Sequence, residues 1–167
     1  MAHPEVCVCF ILRDGPRGRE VLLGLKLRGL GAGKMVAPGG KLEPGETPEA
    51  AVIREVAEES GLVVAAGDLR ACGVNRYAFP HRPEWSQVSW VFSTDVFSGE
   101  ATHSDELELR WVPVAEIPFD LMWDDARLWL PGVLAGGSVD EDFEFGADAA
   151  TVVGRGGRPL EDPTHSQ

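Results

Sequence analysis

Three glutamates, Glu55, Glu58 and Glu59, fall at spacings of three and four within GKLEPGETPEAAVIREVAEESGL, the stretch from Gly40 to Leu62. On a helix those spacings make side chains neighbours, so Glu55 lies beside both of the others. Like charges placed this way cost a helix roughly 0.2–0.5 kcal/mol per pair, a cost that a bound divalent cation would offset. Clustered carboxylate oxygens suit Mg²⁺ or Mn²⁺, hard ions that bind one or two carboxylates together with substrate phosphates. The plain alternative is a solvated acidic face, which a bare E-x-x-E-E would favour. The helix that must carry these acids is punctuated at both ends. Thr47 is a good N-cap, Pro48 suits the first turn, and Gly61 suits the stop. Val52, Ile53, Val56 and Ala57 fall on the other side, where they can pack. Ahead of the helix, Pro38-Gly39-Gly40 lets backbone approach a ligand closely.

The stretch holds more than its acids. Gly40, Glu46, Arg54, Glu55, Val56, Glu58, Glu59, Gly61 and Leu62 complete the pattern G-x5-E-x7-R-E-hydrophobic-x-E-E-x-G-hydrophobic without a departure. On these residues the chain resembles the Nudix hydrolases. The resemblance implies an α/β fold, a mixed β-sheet sandwiched between α-helices, and cleavage of a nucleoside diphosphate linked to another group by metal-activated water. It also implies a site: Glu55, Glu58, Glu59, Glu106 and the carbonyl of Gly39 as ligands of Mg²⁺ (or Mn²⁺), Glu59 deprotonating or orienting the water with Glu58 beside it, and Arg54 orienting a glutamate.

Outside this box, VLLGLKLRGLGAGK (21–34), SDELELRWV (104–112) and IPFDLMWDDARLWLP (117–131) are similar to MutT-type members that act on oxidised purine nucleoside triphosphates. That similarity places Lys26, Lys41, Trp123 and Asp125 in the substrate pocket. It also marks two departures, Val36 and Ala126, where such relatives carry an Asn and an Asp. The reaction so implied is hydrolysis of a purine nucleoside triphosphate, 8-oxo-dGTP among them, to the monophosphate and pyrophosphate. Its rivals are hydrolysis of another nucleoside diphosphate derivative and nucleotide binding without catalysis.

The rest of the chain narrows the partners. At 167 residues it predicts one domain, 3–153, with a real core. A net charge of −12 argues against a nucleic-acid polymer, whose binding depends on Lys and Arg, and leaves a small nucleotide as substrate. Cys7, Cys9 and Cys72 have no zinc or redox spacing and read as reduced core thiols. The longest apolar run, Val6 to Leu12, is too short to span a bilayer, and no signal-peptide pattern opens the chain, so a soluble cytoplasmic protein is expected. The oligomeric state is left open.

Val6–Leu12 reads as a strand buried on both faces, forming a hairpin with Val21–Leu27. Arg28–Lys34 reads as a flexible loop, since it lacks the phosphate-loop pattern. Leu69–Phe79, Ser86–Phe97 and Leu107–Val114 follow as strands, with HRPEW a turn and His81 exposed in it. A second helix falls within Ile117–Leu134, and Val139–Phe145 with Thr151–Val153 form a last hairpin. Residues 154–167 are expected to be a disordered tail.

Overall fold

The computed structural model describes residues 3–159. Strand β1 (Glu5–Gly15) organises the sheet because it changes partner along its length. Its first part pairs antiparallel with β4 (Gly39–Lys41), its last part antiparallel with β2 (Gly18–Lys26), and its other edge runs parallel to β6 (Gln87–Thr94) from Glu5 to Ile11. Beyond β2 lie the short β3 (Met35–Val36) and β7 (Leu107–Pro113). On the far side β6 pairs with β5 (Arg70–Ala78), which runs parallel to β8 (Val139–Phe145). The sheet is therefore mixed, as expected.

Period-two alternation explains why β1 reads as a continuous apolar run. Cys7, Cys9 and Ile11 enter one buried cluster with Val52 and Val56 of helix α1 (Pro48–Ser60). Phe10 and Leu12 enter another with Trp129, Leu130 and Val133 of helix α2 (Ala126–Leu134). The two helices thus cover opposite faces of the strand. All three cysteines are buried and unbridged, as their spacing suggests. Among the described residues no helix is long and apolar enough to cross a membrane.

Helix α1 starts and stops where its sequence directs. The Thr47 hydroxyl accepts from the Ala50 amide at 3.2 Å, and Gly61 takes a left-handed φ of 75°. One residue of its expected packing face differs: Ala57 is exposed, and buried Ser60 takes part in the core instead, its hydroxyl donating to the Val56 carbonyl at 2.6 Å.

The expected tail boundary also moves. The chain continues past Val153 as β9 (Val152–Arg155) and β10 (Arg158–Pro159), an antiparallel pair added to β8. Gly156 and Gly157, at φ 60° and 73°, form the tight turn between them, so glycines taken for a disorder signal are turn residues. The remainder of the expected tail, 160–167, lies outside the described residues.

Candidate active site

Arg54 connects the acids of the box. Its Nε and Nη2 donate to the two oxygens of Glu46 at 2.9 and 2.8 Å, and its Nη1 to Glu55 at 2.9 Å and Glu58 at 3.3 Å. A planar fork can serve several carboxylates at once, which an ammonium cannot. Paired this way, the Glu46 carboxyl is held down at about 2, chiefly by the Arg54 hydrogen bonds. Arg54 thus reaches Glu55 and Glu58 while Glu46 anchors it.

The acids beyond Arg54 carry the opposite perturbation. Burial raises Glu59 to about 7, against the lowering effects of the Gly39 amide, 3.4 Å from it, and of the Lys26 charge. Burial also raises Glu55, and the charges of Glu58 and Glu106 add to that shift. Glu55 lies against Gly40, so closely that a β-carbon there would sit 2.4 Å from its carboxyl carbon. Glu58, in contrast, is exposed and turned to Arg54, and Glu106 stands 3.6 Å from the Arg28 guanidinium. The acids are grouped without converging: among the described residues no three form a ready metal cage. The donor set still fits a divalent cation, because desolvated carboxylates that raise one another's pKa are what such a charge would relieve.

One cleft of about 610 Å³ runs from this acidic end to an aromatic end, a volume ordinary for a small-molecule site. Gly39, Lys26, Lys41, Glu59 and Glu106 line the first end, and Trp123 and Asp125 line the second. A smaller hollow of about 230 Å³, beside Trp111 and Arg110, contains none of these residues. Val36 and Ala126, the two departures, both line the main cleft.

The aromatic end contains residues that the sequence did not single out. Trp123 stands nearly perpendicular to Phe79 (5.9 Å, 79°), Trp85 (6.4 Å, 84°) and Phe145 (5.8 Å, 86°). Trp85 comes from the segment read as a turn; an aromatic residue between Pro83 and a strand was the available signal. The glycine-rich loop is packed against this group, with the Lys34 ammonium 4.9 Å from the Trp123 ring centroid and Gly31 at φ 84° close to the indole nitrogen. Of the paired aspartates, Asp124 faces away, accepting from Arg127 and from the Val152 amide at 2.8 Å, while Asp125 is 3% exposed within the cleft wall. One oxygen of Asp125 accepts from the Tyr77 hydroxyl and from Trp129 Nε1, both at 2.7 Å. Burial is the main cause that raises its pKa.

A NUDIX domain model matches residues 1–133 of the 167. The chain belongs to the Nudix family. It is 44% identical over 115 residues to an oxidized purine nucleoside triphosphate hydrolase of Danio rerio, covering 69% of this chain and 72% of that protein. A protein of the same name from Mus musculus is 39% identical over 135 residues, covering 81% and 84%. Among solved structures, a MutT protein from Bacillus halodurans superposes with a TM-score of 0.76 at 25% identity over 91% of this chain and 95% of that one. The Nudix fold expected from the box is the fold present.

Proposed function

We propose that this Nudix hydrolase cleaves purine nucleoside triphosphates, oxidised ones such as 8-oxo-dGTP included, to the monophosphate and pyrophosphate. The observation that carries this reading is one cleft lined by Glu59 and Glu106 and also by Trp123 and Asp125. Its volume of about 610 Å³ suits a nucleotide with phosphates against Lys26 and the acids and base against the aromatic group. The names of the Danio rerio and Mus musculus relatives support the same substrate class.

Glu55, Glu58, Glu59, Glu106 and the Gly39 carbonyl would hold a divalent cation, Mg²⁺ or Mn²⁺, which supplies charge neutralisation on the phosphates and activation of water. The chain's own part is positioning and proton handling. Arg54 fixes Glu55, Lys26 adds positive charge beside the phosphates, and Glu59, already near neutral pKa by burial, accepts the proton of the attacking water. Trp123 offers the purine a flat face, and Asp125 an acceptor for its edge.

The departures set the expected selectivity. A site that hydrogen-bonds a distinguishing group can reject its analogue by about 10⁴–10⁵, whereas apolar shape gives roughly 10–200-fold. With Val36 and Ala126 in the cleft wall, kcat/KM for 8-oxo-dGTP over dGTP should fall in the lower range. The assay is pyrophosphate release at fixed Mg²⁺; a ratio well above about 10³ would mean that other residues read the oxidised base. Glu59→Gln, which keeps shape and removes basicity, should lower kcat by about 10²–10⁴ with the fold intact. Retention of most of the turnover would remove Glu59 from its assigned role.

A further inference from the structure

Asp125 occupies the position before α2 where an aspartate ordinarily caps the helix with its side chain, yet it makes no such bond. Its Oδ2 instead accepts two hydrogen bonds, from Tyr77 on β5 and from Trp129 one turn further along α2. Two donors from different elements converging on one oxygen fix the carboxylate plane, and bonds to a charged acceptor are the strong kind. Packing alone does not call for the Tyr77 hydroxyl, because the ring already stacks on Phe143 at 5.9 Å and 18°. A phenylalanine would fill the same space.

A second polar residue stands with it. Asn75, two residues earlier on β5, is fully buried, and neither its amide nitrogen nor its carbonyl oxygen has a hydrogen-bond partner of full geometry. Two positions apart on the same strand, it shares a face of the sheet with Tyr77. A buried amide is costly unless it is used. The Tyr77 hydroxyl itself donates to Asp125.

We infer that Tyr77 is a positioning residue for base recognition: by holding Oδ2 of Asp125 it leaves Oδ1 as the single acceptor offered to a purine edge. This rests on reading the cleft as a purine site. A carboxylate free to rotate would have to be ordered before it could accept from the N1–H or amino group of guanine, at a cost in binding. With Oδ2 already engaged twice, the edge is read through one oxygen in one orientation. Tyr77 thereby sets, through Asp125, how a base is held.

The test compares kcat and KM of the wild type, Tyr77→Phe and Asp125→Ala on dGTP and on the deoxynucleoside triphosphate of unsubstituted purine, which has no donor on that edge. Tyr77→Phe should raise KM for dGTP about 3–10-fold, the worth of one net hydrogen bond, leave kcat nearly unchanged, and leave KM for the donor-free purine unchanged. Trp129→Phe, which removes the other donor, should act in the same direction. An equal rise for both bases would show a packing role and overturn the inference. So would an unchanged KM for dGTP in Tyr77→Phe when Asp125→Ala raises it, with the purine reading left standing. If Asp125→Ala changes KM for neither base, the purine reading of this end fails and the inference fails with it.

Discussion

Arg54 lies between one carboxylate that must stay charged and others that must stay available. Bidentate to Glu46 and bonded to Glu55, it fixes the acids by geometry as much as by charge. Arg54→Lys keeps the charge and loses the fork. It should lower kcat roughly 10–100-fold, as loss of a partner orienting metal-site ligands does, with the melting temperature little changed. An unchanged kcat would reduce Arg54 to an ordinary surface ion pair. The two glycines ahead of the helix should separate in the same pair of measurements. A β-carbon on Gly39 would lie 2.1 Å from the Cys7 carbonyl oxygen and 2.9 Å from the Val8 Cα, both fixed backbone of β1, so Gly39→Ala should lower the melting temperature substantially. On Gly40 its three nearest neighbours would be atoms of the Glu55 carboxylate, a movable side chain, so Gly40→Ala should lose activity with little loss of stability. The acids, Arg54 and these glycines were legible in the sequence because they lie within one continuous stretch. Tyr77 and Trp85 were not, because their importance arises from Asp125 and Trp123, some forty residues further on, which only the folded sheet brings near.

At the scale of elements, local chemistry carried the reading wherever it was decisive. Thr47 and Gly61 bounded α1, and the apolar run of β1 announced a strand covered on both faces. The parallel pairings of β1 with β6 and of β5 with β8 left no such trace, since they join segments separated by whole elements. The closing hairpin was read too short because Gly156 and Gly157 serve equally in a tail or a turn. That hairpin depends on Asp148, whose carboxylate accepts from the Ala150 and Thr151 amides, both at 2.9 Å, and from the Thr151 hydroxyl at 2.6 Å. These bonds, the hydroxyl's first, hold its pKa at about 2 rather than 3.8. A depressed carboxylate stabilises the fold above its unfolded pKa, and the contribution is lost as pH falls through the folded value. Between about pH 4 and pH 2 the wild type should therefore lose melting temperature faster than Asp148→Asn, which has no such proton to take up. Parallel melting curves of the two proteins across this window would remove Asp148 from that role.

Across the described residues, two apolar clusters pack on either face of a mixed sheet, and the main cleft is lined from β1, the glycine-rich loop, Glu59 of α1 and the segment leading into α2. The net charge of −12 does not prevent a polyanionic substrate from binding there. Lys26 and Lys41 line the acidic end, and a divalent cation would be the largest local charge. On the proposed reading two tasks are separated: the carboxylate end would cleave a phosphoanhydride whatever is attached, and the aromatic end would decide what is attached. The central claim is therefore tested by identifying products and comparing kcat/KM for dGTP, 8-oxo-dGTP and ADP-ribose in one Mg²⁺-containing assay. The account predicts that both purine triphosphates yield monophosphate and pyrophosphate and are preferred over ADP-ribose. Preference for ADP-ribose, or release of orthophosphate and a nucleoside diphosphate from the triphosphates, would contradict it.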